Sequence, residues 1–150
     1  MNVKGFIKDL REHSDNMGYH LYFGTKQKYN TKRIIENKEI ILEPFVMHPY
    51  RERNCKYSTN LTFWVGIRRE IDAKFMDNAD GDLTDFMQYM IEEATYYLYS
   101  LNELESVLVK QKLQTIPLTY YEADSNQSVN TQSFIRFTIP VDIYLFNTVD

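Results

Sequence analysis

The chain has a single cysteine, Cys55, so no internal disulfide can form, and that cysteine belongs to no metal-ligand spacing. Such usage fits a reducing compartment. Its three histidines, His13, His20 and His48, lie far apart, and none shares a helix face with a carboxylate at ligand distance, so no metal site is expected. The five glycines stand singly, leaving no backbone loop of the kind that cradles phosphates. No apolar run reaches the length of a membrane span. The start, Met1-Asn2-Val3-Lys4-Gly5, turns polar again by Lys8 without the apolar stretch of a secretory signal, so neither membrane nor secretion is expected. The triplets Asn60-Leu61-Thr62 and Asn126-Gln127-Ser128, which match the glycosylation pattern, then read as coincidence.

Catalytic constellations are scarce as well. No nucleophile elbow surrounds Cys55, and Glu92 and Glu93 are adjacent, which on a helix points them in different directions. The acidic run Asp77 to Asp82 suggests a calcium loop, but its register fails. With Gly81 at the turn position, the first and last ligand positions fall on Met76 and Met87. No cofactor is expected, and the chain reads as a non-enzyme; a small enzyme would need a pocket with converging polar groups that sequence does not reveal.

What is abundant is tyrosine, twelve of 150 residues, with nine phenylalanines and one tryptophan. Tyrosine buries a large ring and keeps one end wet, which suits both a half-buried sheet and a contact between proteins. Charge is divided unevenly along the chain. Residues 1–57 carry eleven Lys and Arg against seven Asp and Glu, and residues 58–150 carry six against fourteen. Opposite bias in two parts permits association with copies of the same chain or with a complementary partner. The overall acidity and the scattering of basic residues through loops speak against sequence-specific nucleic acid as a partner.

The organising element is Asp82 to Leu104. Leu83, Phe86, Met87, Met90, Ile91, Ala94, Tyr97, Leu98, Leu101 and Leu104 fall on one stripe at helical pitch, with Asp82 as expected N-cap and Asp85 in the first turn. Before it, Val3, Phe6, Ile7, Leu10 and Met17 predict a short helix ending before Gly18, and His20 to Phe23 a brief strand. Gly24 to Asn37 is a long polar loop carrying Lys26, Lys28, Lys32 and Arg33, which marks it as a contact arm. Glu39 to Met47 predicts a strand that Pro44 places at an edge or a bulge, and a second polar connection with Arg51 and Arg53 follows. Thr59 to Ile71 alternates, with Leu61, Phe63, Val65 and Ile67 on one face, and should pair with the preceding strand as an antiparallel hairpin. Glu105 to Lys112 fits either a strand or a continued helix. Leu113 to Tyr121 predicts an edge strand containing Pro117. Ser133 to Phe146 predicts a long one-faced strand in which Pro140 marks a bend or a break in pairing.

This order predicts one α+β domain over residues 1–150: an N-terminal helix and a mainly antiparallel sheet with one long amphipathic helix packed across a face. On the outward side of that helix Tyr89, Tyr96 and Tyr99 are expected together with Asp85, Gln88 and Glu92, as a surface for a subunit or another partner. The candidate interface residues are thus Lys26, Lys28, Lys32, Arg33, Arg51, Arg53, Tyr89, Glu92, Tyr96 and Tyr99.

The succession Val3 to Asn16, Glu39 to Met47, Thr59 to Ile71, Asp82 to Leu101, Leu113 to Tyr121 and Ser133 to Phe146 resembles the tail terminator and neck ring proteins of tailed bacteriophages. Those proteins share an early helix, early strands bearing a long loop, an alternating strand, an amphipathic helix across the sheet and closing strands. The Glu43-Pro44-Phe45 passage and the Thr115 to Tyr121 strand before a polar turn add to the likeness, whereas the length of Gly24 to Asn37 departs from it. The resemblance implies a homo-oligomeric ring, often six-fold, that caps the tail tube and meets the tail tube protein and a neck or connector protein. Its place would be the virion tail or neck, with assembly in the host cytoplasm. The rival reading is a non-enzymatic α+β adaptor of another virion or secretion assembly.

Overall fold

The computed structural model describes residues 3–29, 38–46, 56–68, 79–121 and 132–144, excluding the side chains of 27, 28 and 79–83. The fold is α+β: helices and a six-stranded, mostly antiparallel sheet, with the long helix packed on one face. Helix α1 spans Val3–Asn16 and buries Phe6, Ile7, Leu10 and Ser14. It ends where the sequence indicates, because Gly18 takes a φ of 84°, a left-handed conformation that costs glycine little. Strand β1 (His20–Phe23) follows, and then a single helical turn, α2 (Lys26–Tyr29), inside the stretch expected to be an unstructured loop.

Strand β2 (Lys38–Leu42) pairs antiparallel with β3 (Lys56–Arg68), as the hairpin expectation required. It is not an edge strand. Its other side pairs in parallel with β1, and it ends at Leu42, two residues short of Pro44, so the proline never meets the ladder. Helix α3 runs Ala79–Ser100 and tightens into a 3₁₀ turn at Leu101–Glu103. Asp82 therefore lies inside the helix and is not its N-cap. The ambiguous stretch after the helix contains strand β4 (Val107–Val109). The strand expected over Leu113 to Tyr121 is shorter: a 3₁₀ turn at Leu113–Thr115 precedes β5 (Thr119–Tyr121). Pro117 stands between them, and among the described residues β5 pairs only with β6 (Gln132–Tyr144), at an edge as expected.

The strands are ordered β1-β2-β3-β6-β4, with β5 also pairing β6. Because β3 lines the whole of one side of β6, β4 and β5 share the other side end to end. Pro140 does not break the ladder: pairing with β3 continues through Asn60↔Pro140. In an antiparallel strand the N and O of one residue point the same way, and the Pro140 carbonyl accepts from the Lys110 amide just beyond β4. The proline's missing N–H thus faces the gap between the two short edge strands, where no partner carbonyl is needed.

Alternation puts Leu61, Phe63, Val65 and Ile67 of β3 and Ile135, Phe137, Ile139, Val141 and Ile143 of β6 on the helix-covered face, all buried. Phe63 stacks on Phe137 at 5.5 Å, and Tyr97 of α3 meets Phe63 edge-on at 5.8 Å. The helices are joined over this face by two side-chain hydrogen bonds, the first buried and the second partly so. Ser14 Oγ and the Tyr97 hydroxyl lie 2.8 Å apart, and His13 Nε2 is 2.8 Å from Ser100 Oγ. The opposite face carries a smaller cluster of Tyr29, Ile41 and Phe134 with Tyr22 and Trp64 against it. Gly66 makes that cluster possible, because a Cβ there would overlap the Phe134 ring.

Candidate functional site

Helical geometry divides α3 into two faces. Phe86, Met90, Ala94, Tyr97 and Leu98 point into the core, leaving Gln88, Glu92, Thr95, Tyr96 and Tyr99 on the opposite side. Together with Ile91 these residues line a shallow depression of about 550 Å³. Their spacing of three and four residues is the reason they converge. Tyr96 is 66% exposed and Tyr99 46%, two large rings facing solvent beside one another. The Gln88 amide donates to Glu92 Oε1 at 3.2 Å, holding the carboxylate along the helix. Met87, expected in the buried stripe, is exposed although its angle lies within that stripe.

Three of the expected interface residues, Glu92, Tyr96 and Tyr99, are therefore brought together. Tyr89 is not with them. It is half-buried and packs against the core cluster, on the flank of α3 that overhangs β2. There it meets a polar knot that strand pairing creates and sequence spacing does not announce. The Tyr19 hydroxyl donates to Glu93 Oε2 at 2.8 Å, and Lys38 Nζ donates to Glu93 Oε1 at 3.2 Å. The Lys38 ammonium also lies 5.5 Å from the Tyr19 ring centre and 6.0 Å from that of Tyr89.

Titration follows the charges. Burial pushes the Tyr19 hydroxyl upward, and its bond to the Glu93 carboxylate pushes it further. Burial and the Glu93 charge likewise raise Tyr89. Glu93 itself is held below its usual value, because Tyr19 and Lys38 outweigh the effect of burial, and Lys38 is held above its own by Glu93 against burial. Every partner is thus fixed in its ordinary ionisation state at neutral pH. The arrangement ties α3 to β1 and β2, and it offers no group poised to exchange a proton.

Lys26, expected to reach outward, turns back onto its own sheet. Its Nζ lies 4.3 Å from the Phe134 ring centre, 5.7 Å from Trp64 and 5.8 Å from Tyr29. Tyr29 is buried with its hydroxyl donating to Gln132 Oε1 at 2.6 Å, so α2 is anchored to the second face. Burial lowers the Lys26 pKa from its ordinary value. The side chain of Lys28, and Lys32, Arg33, Arg51 and Arg53, lie outside the described residues.

A second cluster escapes sequence reading. Asp142 is buried in β6, where its carboxylate accepts from Ser58 Oγ at 2.6 Å and is approached by Lys56 Nζ at 3.4 Å and Lys110 Nζ at 3.5 Å. Two registers bring these residues together, Ser58↔Asp142 between β3 and β6 and Leu108↔Asp142 between β4 and β6. Among the described residues, no group of three or more His, Cys, Asp or Glu side chains could hold a metal ion, and no helix is long and apolar enough to cross a membrane.

Comparison with known proteins found no matching family model and no matching curated sequence.

Proposed function

We propose that this chain is a structural, non-catalytic subunit that assembles with copies of itself through the outer face of α3. The observation that carries the reading is the Tyr96–Tyr99 pair. Two aromatic side chains left largely in solvent beside a shallow depression, on a helix whose other face is fully used by the core, suit a contact that withdraws them from water. The resemblance in element order to tail terminator and neck ring proteins supplies the setting: a ring at the head-proximal end of a phage tail. There it would cap the tail tube and join the head connector. It would act by surface complementarity, which needs a rigid subunit and no cofactor. The sheet with its two layers of packed side chains is suited to that.

Light scattering on the purified chain over a range of concentrations tests the reading. Self-association is expected, weakened about tenfold or more in Tyr96→Ala/Tyr99→Ala, whose circular dichroism and melting temperature should stay close to those of the parent because neither ring is in the core. A parent that remains monomeric at high concentration, or a double variant that assembles as well as the parent, would remove the proposal.

A further inference from the structure

The outer face of α3 is acidic as well as aromatic. From Ala79 to Ser100 the helix contains five Asp and Glu and no Lys or Arg. Of these, Glu93 is engaged inward by Lys38, whereas Asp85 and Glu92 are exposed. They stand seven residues apart, two helical turns and about 10.5 Å along the axis. Helix α1 presents the complement. Lys4, Lys8 and Arg11 are all exposed, at spacings of four and three residues that place them on one stripe along the flank of the buried Phe6, Ile7 and Leu10. Lys4 and Arg11 are again seven residues apart, so the two stripes match in length as well as in sign. Glu12 and Asp15, exposed further along α1, confine its positive field to the first turns.

We infer that the occupant of the α3 face is a second copy of this chain, which lays the Lys4, Lys8 and Arg11 stripe of its α1 along Asp85 and Glu92, with Tyr96 and Tyr99 covered at the end of the contact. The inference rests on the self-assembly reading above and names the surface that reading lacks. Oppositely charged stripes steer encounter and fix register, while the tyrosines supply the area withdrawn from water. Both helices cover the same face of the sheet. A two-fold pair would therefore make the contact twice at once, and a ring would make it once per neighbour.

A charge exchange tests this on the full chain. Lys4→Glu/Lys8→Glu makes both stripes negative, and Asp85→Lys/Glu92→Lys makes both positive. All four side chains are exposed, so folding should be retained, and circular dichroism checks it. Sedimentation at about 50 mM salt, below strong screening, should show each variant alone associating about tenfold or more weakly than the parent. Their equimolar mixture should assemble again, since each negative stripe then finds a positive one. Folded variants that each assemble like the parent, or a mixture that stays dissociated, would overturn this contact and leave self-assembly standing. A parent that never associates would overturn both.

Discussion

The most informative single residue is Asp142, a carboxylate enclosed in a strand that alternation alone would place facing water. Burial by itself would raise its pKa, but the Ser58 hydroxyl and the Lys56 and Lys110 ammoniums prevail and hold it below the ordinary aspartate value of 3.8. The unfolded chain therefore takes up this proton more readily than the folded one. The stabilisation is fully present above the unfolded value and is lost as pH falls through the lower folded one. Urea unfolding midpoints of the parent should accordingly drop as the pH is stepped from about 4.5 to about 2.5. Asp142→Asn, already less stable at neutral pH, should fall less steeply in that window. It keeps some slope because Glu93 is depressed in the same sense. Parallel pH curves for the two proteins would show that Asp142 is not the group responsible.

Secondary elements differ in how far their own residues announce them. Helix α1, β3 and β6 were legible because a period of 3.6 or 2 and a buried face agree over many residues, so one misplaced side chain changes nothing. Their short neighbours were not. Strands of three residues such as β4 and β5 carry no period, and they exist because β6 offers them a free side. Prolines could be read only with the pairing in hand: Pro117 stands beside an edge strand as expected, Pro44 lies beyond its strand, and Pro140 lies inside one, paired with β3 but at a gap on its other side, since what decides is the direction of the absent N–H. On α3 the outward set Glu92, Tyr96 and Tyr99 followed from angle alone. Tyr89 shares the angle of Tyr96 but lies about two turns nearer the start of the helix, where Lys38 of another strand claims it. The joint between α1 and α3 is likewise tertiary. Tyr97 is buried with its hydroxyl on Ser14, so Tyr97→Phe leaves the Ser14 hydroxyl enclosed without that partner. A loss of about 1–2 kcal/mol in denaturant-derived stability is expected, with the secondary structure unchanged. Undiminished stability would show that the bond does not hold the two helices together.

At the scale of the whole molecule, the longest pairing in the sheet, β3 with β6, joins segments separated in sequence by α3 and both short edge strands. Neither strand can settle until that loop is closed, and α3 has little to pack on until they do, because its buried side chains rest on the face those two strands form. Helix and sheet are therefore expected to unfold together in one transition. The chain has a built-in reporter for this. Its one tryptophan, Trp64, lies on β3 but on the face away from α3, half-buried against Tyr121 at 5.0 Å and with the Arg136 guanidinium 5.5 Å from its ring. Far-ultraviolet circular dichroism is weighted towards the helices on one face, and tryptophan fluorescence reports the other. Urea curves recorded by the two signals should superimpose, with the same midpoint and slope. If fluorescence changes at a lower urea concentration than circular dichroism, the α2 side has come away first, and the two faces are separate cooperative units. If the dichroism changes first, the helical layer does not depend on the sheet in the way its packing requires.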